Sequence, residues 1–425
     1  MKFCTRCLYP ENHPLGIVFD SAGVCSGCKI HEEKDRIDWR ERKDKLRGIV
    51  KDFKCGNGKN YDCIVPVSGA RDSHFIVHLV KHELKLNPLL VSYNQLYNTK
   101  VGIRNLAYLR TKLNCDFIQQ TVTPKTVKRI TRCTLDKMGS MYWHILAGQT
   151  AYPVQLAVRL KIPLIVWGVH QGCDQVGMFS HLDEVEMTRK YRKEHDLMGT
   201  EAEDLLNEYS ELRESDMIQF RYPHDKEIES VGLRGIYLSN YHRWDSKQQH
   251  ESMIQKYDYE SAEQRRTFDR YNDVDSFHYS GIHDYIKFLK YGYGKVTDHA
   301  TREIRLKRLT REDGISLVEK YQYRKPVDLD IFLNWLGFSE NEFWQTIDKH
   351  RDPSAWQVRE DRWERVDCVE QPRDKEPIDF TKRDIKENCH FTLTPCKDVS
   401  SQENQYTIIG KGFVENHERS THSSS

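Results

Sequence analysis

The sequence predicts an α/β protein: a doubly wound parallel sheet, preceded by a cysteine-paired module and followed by a mostly helical region. Three observations predict it. Between Tyr61 and Gly168, short apolar runs alternate with segments of helical spacing, the pattern of a parallel sheet covered by helices on both faces. Two Cys-x-x-Cys pairs stand ahead of that pattern, at Cys4/Cys7 and Cys25/Cys28. Beyond Gly168 the apolar runs fade, and charged, aromatic-rich segments of helical period take over.

In chain order, residues 1–30 are turn-rich and form the cysteine module. Residues 31–52 are charged, with Ile37, Leu46, Ile49 and Val50 at helical positions. A Gly/Asn/Lys loop, 55–60, closes that helix. Residues 63–67 read as a buried strand and 73–85 as a helix, with Phe75, Ile76, Leu79, Val80 and Leu84 on one face. Strand 88–93, helix 101–113, strand 116–122 and helix 126–137 follow. A helix over 151–160 carries Pro153 in its first turn, where proline is tolerated, and 162–168 is a fourth, fully apolar strand. Helical spacing recurs at 285–291, 301–308, 314–321 and 329–336. Residues 339–349 close the series, with Ser339 as N-cap and Glu342 completing a capping box. The division expected is 1–30, the cysteine module; 31–183, an α/β domain; 184–350, a mostly helical region; and 351–425, an irregular extension with a mobile polar tail from Lys397.

Composition narrows the function. The chain has 425 residues, enough for two or three domains and a sizeable core. Lys+Arg 65 against Asp+Glu 64 leaves a net charge of +1, which argues against a generic nucleic-acid binder. The longest apolar run, 162–169, is far short of the ~20 residues a membrane span needs. No apolar stretch follows Met1, so a cytoplasmic location without membrane association is expected.

Twelve cysteines are too few for a disulfide scaffold. The two tight pairs, 17 residues apart, instead offer four thiolates from two turns, a closed tetrahedral site for structural Zn²⁺. Two-residue spacers in both pairs favour zinc over iron–sulfur, without excluding iron. Cys55, Cys63, Cys115, Cys133, Cys173, Cys368, Cys389 and Cys396 read mostly as buried small apolar residues or inert thiols.

The segment Ser68-Gly69-Ala70-Arg71-Asp72-Ser73 runs from strand through a small-residue turn into a helix, which aims backbone N–H groups at one point. No Gly-x4-Gly-Lys-Ser/Thr loop occurs in the chain. Gly56-Asn57-Gly58-Lys59 and Gly292-Tyr293-Gly294-Lys295 lack both its hydroxyl residue and its leading strand. The 68–73 loop resembles the SGGxDS loop of the PP-loop ATP pyrophosphatases, enzymes that cleave ATP between its α and β phosphates. With the cysteine module, AGQTAYPVQLAV (147–158), IPLIVWG (162–168), VEMTRKYRKEHDLMG (185–199), VGLRGIYLSNY (231–241) and YGYGKVTDHATREIR (291–305), the chain resembles the N-acetyl sugar amidotransferases of that superfamily. These are the WbpG- and PseA-like proteins of surface-polysaccharide and nonulosonic-acid biosynthesis. Two departures stand out: Ala70 replaces the second glycine, and Arg71 the usual lysine. Alanine adds a methyl where backbone approaches phosphate, and the φ angle there must suit a non-glycine residue.

The resemblance implies ATP and Mg²⁺, with Ser68, Gly69, Ala70, Arg71, Asp72 and Ser73 around the pyrophosphate. Of these, Ser68, Arg71 and Asp72 are the expected catalytic groups. Asp72 is either a magnesium anchor or the helix N-cap. Ser92 and Tyr93, at a strand end, are adenine candidates. Gly168 and His170 follow the fourth strand; His170 and Asp174 are candidates for α-phosphate and magnesium contact. His144 and Gln149 border the sugar, and His278, His283, His299 and Arg302 are further substrate candidates; Asp298 and Arg305 share the face of Arg302. The implied reaction adenylates the acetamido oxygen of an N-acetylated, nucleotide-linked or free sugar, and ammonia then displaces AMP to leave an acetamidino group. No glutaminase constellation is evident, so ammonia is expected from a separate glutaminase subunit, with or without a channelling subunit. A homo-oligomer is compatible with the sequence. The alternative reading is a PP-loop tRNA-modifying enzyme of thiolation or lysidine type, for which Cys133 and Cys173 are the available thiols. A third is a zinc scaffold with an inactive loop, favoured only by Ala70.

Overall fold

The computed structural model describes residues 1–96 and 98–370, without the side chains of Phe277 and His278. The polar tail from Lys397, Cys389 and Cys396 lie outside the described residues. Among the described residues, no helix is long and apolar enough to cross a membrane.

Five parallel strands form the central sheet in the order β3-β2-β1-β4-β5. They are β1 (Cys63–Pro66), β2 (Pro88–Asn94), β3 (Asp116–Thr121), β4 (Leu164–Trp167) and β5 (Arg234–Tyr237). Register runs Cys63 to Pro88, Ile64 to Ile165 and Leu164 to Arg234. Both faces are covered, as the unbroken apolar runs require. Cys63, Val65, Leu90, Leu164, Val166 and Ile236 pack on one side, against helices Trp39–Lys51, Ser73–His78, Lys100–Thr111 and Ser246–Tyr257. Ile64, Leu89, Val91 and Ile165 pack on the other, against helix Trp143–Leu160. Strand order reverses between β1 and β4, and the C-terminal ends of those two strands open the crevice where doubly wound folds bind ligands.

Several elements differ from the sequence reading. Residues 31–52 are not one helix. Helix Ser26–Glu33 ends, and Asp38 starts a second, its Oδ1 accepting from the Arg40 and Glu41 N–H groups at 2.9 and 3.1 Å. The helix expected over 73–85 is Ser73–His78 followed by a π-helical turn, Leu79–Glu83. The helix expected to begin at Ala151 begins at Trp143, so Pro153 lies in its interior. Burial of Trp143, Ile145 and Ala147 sustains the longer helix against the hydrogen bond that proline removes. β5 escaped sequence reading because its four residues, Arg-Gly-Ile-Tyr, hold no apolar run. Residues 351–370 are not irregular throughout. Trp356–Arg359 (β6) and Arg362–Arg365 (β7) form a hairpin whose turn residues Glu360 and Asp361 have φ of 50° and 58°, as a type I′ turn demands.

The helices beyond the sheet follow the predicted periods. They are Phe277–Tyr291, Lys295–Arg305, Arg311–Tyr321, Leu329–Leu336 and Glu340–Asp348. Ser339 Oγ accepts from the Glu342 N–H at 3.2 Å and Glu342 Oε2 from the Ser339 N–H at 2.7 Å, the capping box expected. The apolar faces of Phe277–Tyr291, Leu329–Leu336 and Glu340–Asp348 join helices Pro124–Met138 and Trp143–Leu160 in one core, around Trp143, Phe220, Tyr285, Phe288 and Trp344, whereas Val296, Ala300 and Val318 of the other two helices pack with Leu8 of the cysteine module.

Central and edge strands should differ sharply in mutational cost. Ile165 in β4 is fully buried, so Ile165→Ala should destabilise by about 2–5 kcal/mol. Ile118, on the open edge strand β3, is 36% exposed, so Ile118→Ala should cost under about 1 kcal/mol. Urea denaturation midpoints of the two variants test the contrast.

Candidate active site

The loop after β1 is built by its own side chains. Ser73 Oγ accepts the Ser68 N–H at 3.2 Å and donates to the Ala70 carbonyl at 2.8 Å, while Ser68 Oγ accepts the Ala70 N–H at 3.3 Å. Among the described residues, the N–H groups of Gly69, Arg71 and Asp72 have no acceptor. Donors left free on closely spaced loop residues, two of them adjacent, suit an anion-binding nest.

The two left-handed positions are Gly69, φ +85°, and Arg71, φ +49°. A Cβ at Gly69 would also lie 2.7 Å from the Gly102 carbonyl oxygen. Ala70 is therefore not at a glycine-demanding position; its methyl is fully buried in the sheet core. The departure from SGGxDS puts no side chain into the loop's opening.

Asp72 occupies the N-cap position of helix Ser73–His78, but its side chain makes no capping bond. Its Oδ2 accepts from Trp244 Nε1 at 3.3 Å, and its buried Oδ1 has no partner. Burial raises its pKa, with the nearby His250 and Trp244 opposing. An unpartnered carboxylate oxygen beside a nest of N–H donors fits a divalent cation carried by a polyphosphate. Asp174 fits less well. It lines the same cavity, but its carboxylate pairs with Lys34, and although burial pushes its pKa up, Lys34 holds it at about 2.

A cavity of about 610 Å³ opens over the switch point. Ser68, Arg71, Asp72, Ser73, Tyr93, Gln149, Gly168, Asp174, His283, His299 and Arg302 all line it. Ser92 is buried in β2 and does not. His170 is likewise outside the lining. It is fully buried, its Nδ1 accepts from the Cys173 N–H at 3.2 Å, and its ring packs between Tyr191 and Tyr237. His144 does not reach the cavity either. Tyr93 Oη lies 3.1 Å from its Nδ1 and Tyr279 Oη 3.2 Å from its Nε2. Tyr279 donates to the Met141 carbonyl, so its oxygen accepts from His144 Nε2–H and Tyr93 donates to Nδ1. Burial lowers the His144 pKa to about 3, and the residue ties β2 to helix Phe277–Tyr291. The side chain of His278 lies outside the described residues.

Of the remaining substrate candidates, His283 stacks on Tyr142 at 4.5 Å with Nδ1 unpartnered, and His299 Nδ1 meets Thr267 Oγ1 at 2.7 Å. Arg302 is engaged by Asp269 at 2.6 Å and Glu303 at 2.9 Å, an ionic network rather than a free anion clamp.

Sequence reading missed the counter-ions of the loop. Asp273 Oδ1 accepts from Arg71 Nε at 3.2 Å, and Lys295 stands 3.7 Å from the same carboxylate. Burial would raise Asp273, but Arg71 and Lys295 hold it below the ordinary carboxylate value. Asp275, buried and beside that negative charge, is pushed up to about 6. The one signal in the sequence was the spacing Asp273-Val274-Asp275 just ahead of helix Phe277–Tyr291. His13 was also missed. It lines the cavity from the cysteine module, its Nδ1 accepting from the Leu15 N–H at 3.2 Å and its Nε2 unpartnered.

Cys4, Cys7, Cys25 and Cys28 are buried, with all four sulfurs within 4.8 Å of one another. Cys4 and Cys28 Sγ are 4.0 Å apart, Cys7 and Cys25 Sγ 3.6 Å. Zn–S bonds of about 2.3 Å in a tetrahedron need sulfurs about 3.8 Å apart, so the four fit such an ion. Backbone N–H groups of Cys7 and Cys25 point at Cys4 Sγ, as metal-bound thiolates favour. Arg305 donates to Cys25 Sγ at 3.5 Å and to the carbonyls of Asp174 and Gln175, fastening the module to the turn after β4.

Residues 245–370 match the family described as LPS biosynthesis protein WbpG-like, C-terminal domain. The resemblance to WbpG-like proteins is borne out over that segment, which carries Asp273, Asp275, His283, His299 and Arg302. The uncharacterized protein MJ1599 of Methanocaldococcus jannaschii is 29% identical over 102 residues, 24% of this chain and 36% of that protein. The chain thus spans about a third of the length of the curated relative it matches. The NH3-dependent NAD synthetase of Campylobacter jejuni, in complex with the nitrate ion, aligns at 14% identity and a TM-score of 0.26, over 46% of this chain and 92% of its own. An NMN synthetase from Francisella tularensis aligns at 14% identity and a TM-score of 0.26, over 53% and 98%. These structural likenesses are too distant to speak to chemistry.

Metal removal tests the cysteine cluster. Elemental analysis should find about one zinc per chain. Cys4→Ser should release it and expose the module to proteolysis, since a site of four thiolates carries much of a small ribbon's folding energy. Iron in place of zinc, or no metal, would contradict the assignment.

Proposed function

We propose that the chain is an ATP-dependent amidotransferase that converts the N-acetyl group of a sugar, nucleotide-linked or free, to an acetamidino group, releasing AMP and pyrophosphate. The observation that carries the ATP half is the 68–73 loop: free N–H donors on Gly69, Arg71 and Asp72 beside the unpartnered Asp72 Oδ1, at the switch point of a parallel sheet. The sugar half is supported by the WbpG-like segment, whose residues form a large part of the cavity wall.

The roles follow from charge. Pyrophosphate leaves with high negative charge, so preorganised donors lower the barrier most. The loop N–H groups, with the Ser68 and Ser73 hydroxyls, cradle the β and γ phosphates. Arg71 swings from Asp273 toward them, which its half-exposed side chain allows. Asp72, with its unpartnered Oδ1, would hold Mg²⁺, which would supply charge neutralisation to the leaving pyrophosphate. Tyr93 closes the adenine side at the end of β2. No side-chain nucleophile is required, because the acetamido oxygen itself attacks the α phosphorus and ammonia then displaces AMP. Ammonia comes from a glutaminase partner. A four-sulfur zinc site, a place in surface-polysaccharide or nonulosonic-acid biosynthesis and a cytoplasmic location complete the reading.

The tRNA-thiolation alternative needs a reactive thiol. Burial pushes the thiols of Cys133 and Cys173 to about 12, and each is 2% exposed. Neither suits sulfur transfer, which runs through an accessible thiolate.

Two experiments test this function. With ATP, Mg²⁺, ammonium and a panel of UDP- and CMP-linked N-acetyl sugars, AMP and pyrophosphate should appear, and Asp72→Asn should slow them by about 100-fold or more. ADP as the product would refute the mechanism. In the second, NH₄Cl at alkaline pH should support product one dalton lighter than the acetamide, while glutamine should not serve the chain alone. Efficient use of glutamine by the single chain would reveal an unrecognised glutaminase.

A further inference from the structure

We propose that His195 is the base that removes the proton from the attacking nitrogen, with Asp196 as its positioning residue, in the amidotransferase reaction on which this assignment rests. The segment 185–199 belongs to the sequence resemblance, yet neither the nucleotide loop nor the cysteine module uses it. Residues Arg192–Asp196 form a π-helical turn that continues helix Arg189–Tyr191, a local departure from α geometry found often at functional sites. The turn brings His195 and Asp196 into the wall of the cavity that also holds the 68–73 loop.

His195 Nδ1 lies 2.8 Å from Asp196 Oδ1. A carboxylate only accepts, so Nδ1 carries the proton, and in the neutral ring Nε2 carries the lone pair. That Nε2 has no hydrogen-bond partner among the described residues, although the side chain is 7% exposed. The ring is held by stacking on Tyr191 at 4.6 Å and 19°. Tyr191 packs on His170 at 4.2 Å, and its hydroxyl accepts the Gly172 N–H at 3.0 Å, so the imidazole is braced against the turn that follows β4. An oriented imidazole, a carboxylate behind it and an unused nitrogen are the parts of a general base.

The chemistry requires one. When ammonia adds to the adenylated carbon, the new nitrogen bears a positive charge and is a better leaving group than AMP. Collapse then returns ammonia unless that nitrogen loses a proton. Transfer to His195 Nε2 lets the C–O bond break instead, with AMP taking the electron pair and the C–N bond kept. The imidazolium formed beside Asp196 then returns its proton to solvent. The titratable groups that face His195 are Asp196 and Tyr191 on its own segment, His170 from the turn after β4 and His13 from the cysteine module. Burial depresses His170 to about 4 and His13 to about 3, so both stay neutral as His195 takes up its proton.

The test compares the full chain with His195→Gln, His195→Gly and Asp196→Asn, using ATP, Mg²⁺, NH₄Cl and the panel of UDP- and CMP-linked N-acetyl sugars. Acetamidino product and AMP are measured together across pH 6–9. In His195→Gln, product formation should fall about 100-fold or more, and product per AMP should fall with it as water takes over the adenylate. Imidazole in the buffer should restore product to His195→Gly, and Asp196→Asn should shift the pH profile of product formation. Product and AMP falling in step, with no imidazole rescue, assigns His195 a structural role and overturns the proposal. Undiminished product in His195→Gln overturns it equally. A wild-type chain that releases AMP without amidino product from any sugar overturns the amidotransferase reading itself, and the base with it.

Discussion

The guanidinium of Arg305 is the contact on which the shape of the cavity depends. It donates to Cys25 Sγ and to the carbonyls of Asp174 and Gln175, and it lies 5.3 Å over the ring of Tyr9. One side chain on helix Lys295–Arg305 thereby joins the cysteine module, the turn after β4 and the helical region. The approach is close enough to dictate sequence on the other side. A Cβ at Gly27 would lie 2.3 Å from Arg305 Nη2 and 2.6 Å from the Gln175 carbonyl oxygen, so only glycine lets the cysteine turn dock. With the module docked, His13, Pro14 and Leu15 become cavity wall.

Within that frame, charge is distributed unevenly. Arg71 is paired with Asp273 yet half exposed, whereas Arg302 is locked among Asp269 and Glu303. The first keeps its guanidinium half in solvent and can turn from its carboxylate to a phosphate, with Lys295, 3.7 Å away, left to balance the buried Asp273. The second would have to abandon a buried network, which is expensive. The same contrast separates Asp72, with an unused oxygen, from Asp174, held by Lys34. Cations and carboxylates at one cavity thus divide into those free to meet a ligand and those that hold the wall.

Much of this was legible in the sequence. Strands β1, β2 and β4 announced themselves as apolar runs, the Ser339 capping box as a local pattern, and the cysteine pairs by spacing alone. What was hidden depends on contacts distant in sequence. β5 is a strand only because β4 offers it a parallel edge. Helix Trp143–Leu160 passes through Gly148 and Pro153 because its apolar face is buried. His144 looked like a ligand residue and is a structural link between two tyrosines, a role that no single-residue reading distinguishes. Asp273 and His13 gain meaning only from the partners that folding brings to them, 202 residues away for Arg71 and Asp273.

The cysteine module has a further consequence for biosynthesis. Its four thiols are made well before the arginine that seats it, which is 280 residues downstream of Cys25. At roughly 5–20 residues per second, tens of seconds pass between the two. In that interval the module has no wall to lean on, and its thiols face the solvent, oxidants and competing metals of the nascent-chain environment. Early metal capture would fold the knuckles as a self-contained bead, ready to dock when helix Lys295–Arg305 arrives. The order of events is then set by the direction of translation: metal first, sheet second, closure of the cavity last.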